Sequence, residues 1–573
     1  MGGRERLGPA MTGMTTPSRK RSWFFRGGNQ GWSSTPIHPL LFALLPGISL
    51  LAHNISQIHP DDAIRPLALI LGATVLLWLL LGLVLREASQ AAFAISMLLL
   101  LFFSFGHIYL GFLGPVMHAL FSRAGLVGSR NLLVIVWAGL GLLSLYLATR
   151  RRLPFGRITT LFNLIAVAAL VPPISSLAYH EIGLRLPVGP SPFSSPALET
   201  SVSGPVEMPD IYYIILDGYA REDVLRDRYG IDESAFLASL ERMGFSVASE
   251  SRSNYAQTAL SLASSLNLQY LPPSEDGGES EADERLWLAR WIRSANVLSV
   301  LRGLGYRIYA FESGARVTDM DSADVFLTPD VGLPTNLERL LLETSALVLL
   351  PQLSAIVSDV EGDLSARRHQ ARVFYTLAQL PALVHEPGPK FVFVHLIVPH
   401  PPFIMKRDGT LAERSQVFSF HDGSGFEGSE ADYIAGYREQ ALFIAPRIEN
   451  VLRGILESSS PTPVIILQAD HGPGSRLVWN SVEETDVRER FGILNAVLLP
   501  CAPLNTLPET LTPVNTFRYV FQTCFHLPYA PLPDRSYFST WNRPFEFIEV
   551  PAAEIAPLDD PTTDEPGCGC GPP

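Results

Sequence analysis

The sequence predicts two parts of different class: an N-terminal α-helical membrane domain with about five transmembrane helices, and a C-terminal α/β domain whose mostly parallel sheet carries helices on both faces. Three observations predict this. Apolar residues crowd into the first third of the 573-residue chain, in stretches long enough to cross a bilayer. A proline- and serine-rich stretch follows. Beyond it, short apolar runs that end in an acid or a histidine alternate with helical stretches, the pattern of βα units.

Four stretches carry the membrane expectation: Pro66 to Leu85, Ala91 to Gly111, Asn131 to Ala148 and Ile158 to Tyr179. A fifth, Pro39 to Ser56, is shorter and contains Pro46. The residues before it carry Arg4, Arg6, Arg19, Lys20, Arg21 and Arg26 against a single acid, Glu5. The loop before the last span carries Arg150, Arg151, Arg152 and Arg157 and no acid. Bases concentrate on the cytoplasmic side of membrane proteins, so the N-terminus is expected in the cytoplasm. Five spans then place everything after Tyr179 outside, and loss of the Pro39 segment would invert that. The expected organisation is a basic cytoplasmic tail (1–38), a multi-pass membrane domain (39–179), a linker (180–209), a catalytic-type domain (210–550) and a disordered acidic end (551–573).

The linker assignment rests on Pro187, Pro190, Pro192 and Pro196. The α/β domain opens with the apolar run Ile211 to Leu216, ending in Asp217-Gly218. A helix is expected over Ile231 to Gly244, another over Glu284 to Leu304, and a strand over Tyr306 to Phe311. Leu337 to Val357 is apolar but interrupted by Glu338, Arg339, Glu343 and Pro351, which favours a helix lying on the domain or at the membrane surface over a span. Phe391 to Val398 reads as a strand containing His395 and stopped by Pro399-His400-Pro401-Pro402. Tyr437 to Glu457 reads as a helix, Val464 to Asp470 as a buried parallel strand, and Asn495 to Pro500 as a further strand.

Parallel strands bring their carboxyl ends to one rim, so residues distant in sequence can share a site there. Four features end on that rim: Asp217, Thr258 at the start of a helical stretch, His400, and Asp470-His471. Each has a bland alternative. Asp470-His471 can be a strand-end cap or ion pair, Thr258 an N-cap, and His400 a structural histidine in a proline-rich turn. Taken together they have a chemistry. Two carboxylates and an imidazole suit a divalent cation, with manganese or zinc favoured and magnesium compatible. Such a cation would activate a threonine hydroxyl, which is a poor nucleophile at neutral pH. Helix amides beyond Thr258 and the His400 imidazole would stabilise charge on the transferring oxygens.

Leu-Asp-Gly at 216 to 218, Tyr-Ala-Gln-Thr at 255 to 258, His-Pro-Pro-Phe at 400 to 403 and Ala-Asp-His-Gly at 469 to 472 occur in an order that resembles the alkaline phosphatase/sulfatase superfamily. The chain is most similar to its membrane-anchored branch of lipoteichoic acid synthases and phosphoethanolamine transferases. The resemblance implies that Thr258 is nucleophile and metal ligand, that Asp217, Asp470 and His471 complete the ligand set, and that His400, with His395, contacts substrate. It implies transfer or hydrolysis of a phospho-group on a phospholipid or an envelope glycan. Asp217 stands where lipoteichoic acid synthases commonly carry glutamate. Their substrate-contacting tryptophan and arginine have no counterpart near Ser313-Gly314-Ala315-Arg316, where Arg316 reads as an anion contact or, by preference, as a solvated side chain.

A sulfuric ester hydrolase needs a Cys/Ser-x-Pro-x-Arg context. Cys501-Ala-Pro503-Leu-Asn505 lacks the arginine, and Thr15-Thr-Pro17-Ser-Arg19 starts with the wrong residue in the cytoplasmic tail. A catalytically silent envelope scaffold of the same fold is the alternative from another functional class. The formal net charge of −13 argues against a nucleic-acid partner. An exported domain can bridge Cys501 to Cys524, whereas Cys568 and Cys570 alone do not complete a metal site.

Overall fold

The structure is a computed structural model describing residues 35–55, 58–109, 125–150, 152–185, 208–273, 281–330, 335–349, 351–412, 420–503 and 506–558. The basic N-terminal residues, the linker prolines, Cys568 and Cys570 lie outside them. The chain divides into two compact units: Met1–Pro46 with Leu67–Val171, and Gly47–Pro66 with Pro172–Pro573.

Each expected span falls on a helix: His38–His53, Ile64–Leu85, Ala88–Ile108, Gly125–Ala148 and Phe155–Arg185. Among the described residues three helical stretches, Pro60–Leu85, Ala88–Ile108 and Phe155–Leu184, are long and apolar enough to cross a membrane, and His38–His53 and Leu132–Ala148 are apolar but shorter. Leu83 and Val84 on the second helix, and Ile135 and Leu142 on the fourth, point outward, as lipid-facing side chains do. Inside this unit the buried Asn163 satisfies the chain entry: its Oδ1 accepts from the Ile37 and His38 N–H groups, and its Nδ2 donates to the Thr35 carbonyl. The last helix runs on to Arg185, past the expected boundary at 179, with Pro172 and Pro173 inside it.

In the second unit seven strands form one sheet: β1 (Ile211–Leu216), β2 (Ser246–Val247), β3 (Arg307–Phe311), β4 (Val325–Leu327), β5 (Lys390–Leu396), β6 (Val464–Gln468) and β7 (Asn495–Leu498), in the order β2-β7-β6-β1-β5-β3-β4. Strands β6, β1, β5, β3 and β4 are mutually parallel; β7 pairs antiparallel with both β6 and β2, so the sheet is mixed at that edge. A two-stranded ribbon, β8 (Ser536–Phe538) and β9 (Ile548–Val550), is separate.

β1 is the central strand and all six of its residues are buried. Its alternation feeds two cores. Ile211, Tyr213 and Ile215 pack with Leu260 and Ala263 of the helix Thr258–Asn267 and with Phe517 and Phe521 of the helix Pro513–Cys524. Tyr212, Ile214 and Leu216 pack on the other face with Tyr437, Ala441 and Ile444 of the helix Glu430–Ser458. Helices on both faces explain why the strand is apolar throughout rather than alternating with polar residues.

Several expected elements shift. The stretch Glu284 to Leu304 is two helices, Glu281–Arg293 and Asn296–Gly303, because the side chain of Asn267 accepts the Asn296 N–H and starts a new helix there. The helix expected from Ile231 is Ser234–Arg242, preceded by a separate Glu222–Tyr229. Leu337 to Val357 divides into the helix Asn336–Thr344, with a Thr335/Glu338 capping box, a 3-10 turn at Ala346–Leu349 and a helix starting at Pro351. Ordered chain continues past 550 as the helix Ala552–Ile555, and the Ile555 carbonyl accepts from Arg221. Cys501 and Cys524 are bridged, with Cα atoms 5.3 Å apart.

Glu233 provides a stability test. It is buried, and burial pushes its carboxyl up to about 7. Its folded-state pKa lies above the unfolded value, so the folded protein holds the proton more tightly. That contribution is fully present below the unfolded carboxylate range and is lost as pH rises through about 7. Glu233→Gln therefore leaves thermal stability at acidic pH nearly unchanged and raises it by about 2 kcal/mol at mildly alkaline pH. Thermal melts of both proteins across that range check it.

Candidate metal and nucleophile site

Because β6, β1 and β5 are adjacent and parallel, the residues following each strand meet at one rim. The loops are joined through their backbones: the Asp217 N–H donates to the Leu396 carbonyl at 2.9 Å, and the His400 N–H to the Asp217 carbonyl at 3.1 Å. Gly218 takes φ +73°, a left-handed turn that lets the chain leave β1 immediately after Asp217. At Gly472 a Cβ would sit 2.1 Å from the Glu489 carbonyl oxygen, so any side chain there displaces the loop that carries His471.

Thr258 is the first residue of its helix, with Gln257 in extended conformation at the cap position. Gln257 supplies no cap. Its amide instead donates to the Ser539 carbonyl and hydroxyl and to the Thr540 carbonyl. The helix is tied to β6 by Ser261, whose hydroxyl donates to the Asp470 carbonyl at 2.6 Å.

Thr258 Oγ1 lies 2.9 Å from His471 Nε2, which is 3.5 Å from Asp217 Oδ1 and 3.4 Å from Asp470 Oδ2. The other nitrogen of His471, Nδ1, is 2.8 Å from the Gly472 carbonyl. A carbonyl only accepts, so Nδ1 carries the proton and Nε2 presents a lone pair toward Thr258. Asp217 Oδ1 and Asp470 Oδ2 are buried and have no hydrogen-bond partner. Two orphaned carboxylate oxygens beside a lone-pair nitrogen and a hydroxyl are unfavourable in a dry site unless a cation joins them, and the donor set of oxygens and one nitrogen fits zinc or manganese. Two overlapping groups, Asp217–His400–His471 and Asp217–His395–Asp470, each bring ligand atoms within 4.8 Å of one another, with Asp217 common to both.

The electrostatics agree with that arrangement. Burial works to raise the Asp217 carboxyl, but His400 and the hydrogen-bonded His395 outweigh it and hold it below the usual carboxylate range. Burial, reinforced by the nearby Arg490 guanidinium, lowers His471, the direction that favours the neutral ring its Nδ1 contact with the Gly472 carbonyl implies. A neutral imidazole and ionised carboxylates are the ligand-competent forms.

No family model matches the chain, and no curated protein matches it. Solved structures to which it is similar include phosphoethanolamine transferases and sulfatases. They include the C-terminal periplasmic domain of EcEptC from Escherichia coli in complex with Zn, at 11% identity and TM-score 0.40, covering 61% of this chain and 94% of that one. The integral membrane lipooligosaccharide phosphoethanolamine transferase A of Neisseria meningitidis is similar over 80% of this chain and 88% of its own, at 13% identity and TM-score 0.34. BT1596, a 2-O GAG sulfatase, is similar over 58% and 73%, at 13% identity and TM-score 0.35.

Five of the six expected site residues, Asp217, Thr258, His400, Asp470 and His471, converge around one point. His395 does so differently: it is buried behind Asp217, with Nε2 3.1 Å from Asp217 Oδ2 and Nδ1 2.9 Å from Thr318 Oγ1. With both ring nitrogens occupied, it supports the carboxylate rather than facing substrate. Arg316 is not solvated; it is buried and bonds the Ile55 carbonyl and Glu181. Thr318, Asp422 and Arg490 complete the surroundings and were not expected. Asp422 is buried with Oδ2 3.6 Å from His400 Nε2, and its carboxyl falls to about 2 because the Arg490 guanidinium, with His400, overcomes burial. Asp422 lies in a loop and Arg490 in the five-residue helix Val487–Phe491, neither with a strand-end signal.

Proposed function

We propose that this protein is a membrane-anchored, metal-dependent phosphotransferase or phosphoric ester hydrolase whose nucleophile is Thr258, acting outside the cytoplasm on a phospholipid or an envelope glycan. The observation that carries this reading is the convergence of Thr258 Oγ1 and His471 Nε2 at 2.9 Å beside the orphaned Asp217 and Asp470 oxygens. A divalent cation held by Asp217, Thr258, Asp470 and His471 would lower the hydroxyl pKa and screen an approaching phosphate.

The chain's own residues account for the rest. Thr258 is partly exposed at the head of its helix, so its oxygen can reach a phosphorus atom from the open side. Attack forms the Thr258 O–P bond and breaks the bond from phosphorus to the leaving oxygen, which takes up a proton from solvent and departs as the alcohol, while the Thr258 proton passes to solvent. The first amides of the helix Thr258–Asn267 face the transferring oxygens with the positive end of the helix dipole. His400, whose Nδ1 donates to the Pro401 carbonyl at 2.6 Å, has Nε2 left to meet substrate. Water or a glycan hydroxyl then takes the phospho-group from Thr258. Anchoring by apolar helices keeps such a site near lipid head groups, which supports a lipid donor.

Incubating the purified full chain with zinc or manganese and phosphatidylethanolamine vesicles, followed by peptide mass spectrometry, tests this reading. The expected result is a phospho-adduct on Thr258 that depends on metal. A turnover-competent protein with no adduct and no metal requirement would overturn it.

A further inference from the structure

Arg490 is 1% exposed, and its guanidinium touches three loops that carry site residues. Nε and Nη2 donate to the Ala256 carbonyl at 2.8 and 2.7 Å, two residues before Thr258. Nη1 donates to the Gly472 carbonyl at 3.0 Å, the same oxygen that accepts His471 Nδ1. Nη1 also pairs with Asp422 Oδ2 at 2.6 Å, and that oxygen faces His400 Nε2 at 3.6 Å. Asp422 is held in turn: its Oδ1 accepts from Tyr433 at 2.7 Å and from the Gly423 N–H at 2.8 Å, and its carbonyl accepts the Trp479 indole N–H at 2.9 Å.

No sequence period links Ala256, Asp422 and Gly472, and the backbone bonds at their loops, such as Gly472 N–H to the Arg490 carbonyl at 2.7 Å, tie them in pairs rather than all together. One planar cation with its donors in a rigid fork can fix all three at once; a lysine, with a single point charge on a flexible stem, cannot. We propose that Arg490, set by Asp422, is the positioning residue that holds Thr258, His471 and His400 in one geometry. Through the Gly472 carbonyl it also fixes which nitrogen of His471 is left to face Thr258. This rests on the reading of Thr258 as the nucleophile of a metal-dependent phosphotransfer site.

The test uses the full chain in detergent, with zinc affinity measured by competition against a chromophoric chelator and turnover measured on bis(p-nitrophenyl) phosphate. Arg490→Lys is expected to weaken zinc binding about 10-fold or more, as loss of a ligand-orienting partner does. It should also lower kcat about 100-fold with little change in KM, as a small misplacement of reacting groups does. Added guanidinium should restore part of the turnover of Arg490→Ala. Arg490→Met combined with Asp422→Asn removes both buried charges, so it keeps the fold while turnover stays low, which separates positioning from stability. Arg476→Ala, at an exposed ion pair with Glu430, is the control with wild-type values.

Zinc affinity and kcat of Arg490→Lys both within two-fold of wild type, or wild-type turnover in the double variant, would overturn the proposal. Thr258→Ala is run in parallel. Loss of activity in Thr258→Ala with full activity in Arg490→Lys defeats only the positioning role, whereas an active Thr258→Ala defeats the reading of the site.

Discussion

Thr258→Ala lowers turnover by about 10⁴-fold or more, the loss expected when a nucleophile is removed and only binding and electrostatic stabilisation remain. The effect is chemical rather than structural. Thr258 is the first residue of its helix and caps nothing, since the extended Gln257 occupies the cap position. The truncation gives up one hydrogen bond, to His471 Nε2 at 2.9 Å, and alanine is a better helix former. The variant should therefore melt within about 1 kcal/mol of wild type. Thr258→Ser keeps an oxygen on the same backbone position and should retain measurable turnover. Steady-state kinetics on a phosphodiester, with mass spectrometry for the phospho-adduct, distinguishes the three proteins; an active Thr258→Ala carrying no adduct refutes the nucleophile.

Asp470→Asn gives the second large effect, and its sign reverses with metal. In the metal-free protein, Asp470 Oδ2 is buried without a partner and Asp217 Oδ1 is in the same condition nearby. Removing one of two adjacent buried carboxylate charges, each with one oxygen left unpartnered, relieves desolvation and repulsion, so the metal-free variant melts higher than metal-free wild type. Adding zinc stabilises wild type through mass action, by about 4 kcal/mol at a thousand-fold excess over Kd. The variant lacks a carboxylate ligand and gains little. The two melting curves therefore cross as zinc is added, and elemental analysis after dialysis should find metal retained by wild type alone. Parallel curves at every zinc concentration would refute the assignment of Asp470 as a ligand. Gly218 N–H, which donates to Asp470 Oδ1 at 3.2 Å, keeps an acceptor in the asparagine variant, so the loop itself is preserved.

Much of the architecture was legible in the sequence because its signals are local. Long apolar stretches specify helices wherever they occur, since backbone groups without water must bond within the segment. The runs Ile211 to Leu216, Phe391 to Val398 and Val464 to Asp470 specify buried strands, which end in the structure at Leu216, Leu396 and Gln468, and a parallel sheet places whatever follows them at a common rim. Asp217, His400, Asp470 and His471 were therefore identifiable before any coordinate. Thr258 was identifiable through the start of its helix and the Tyr-Ala-Gln-Thr resemblance.

Tertiary contact decided what local pattern cannot carry. The break at Asn296 depends on a side chain 29 residues away, Asn267. The reversed direction of β7 depends on its pairing with β6 and β2. His395 and Arg316 have no periodic context that tells a buried partner from an exposed group; only Thr318 and Asp217 around the one, and Ile55 and Glu181 around the other, decide it. Arg490 is the clearest case. By sequence it is one of several charges in Val-Arg-Glu-Arg-Phe, yet folding buries it against the Ala256 and Gly472 carbonyls and Asp422. Strand polarity and hydrophobic period determined where Asp217, His400, Asp470 and His471 end up, because they act over a few residues. The fixed geometry among those side chains was decided by the three-dimensional fold, because it is held by hydrogen bonds between loops hundreds of residues apart.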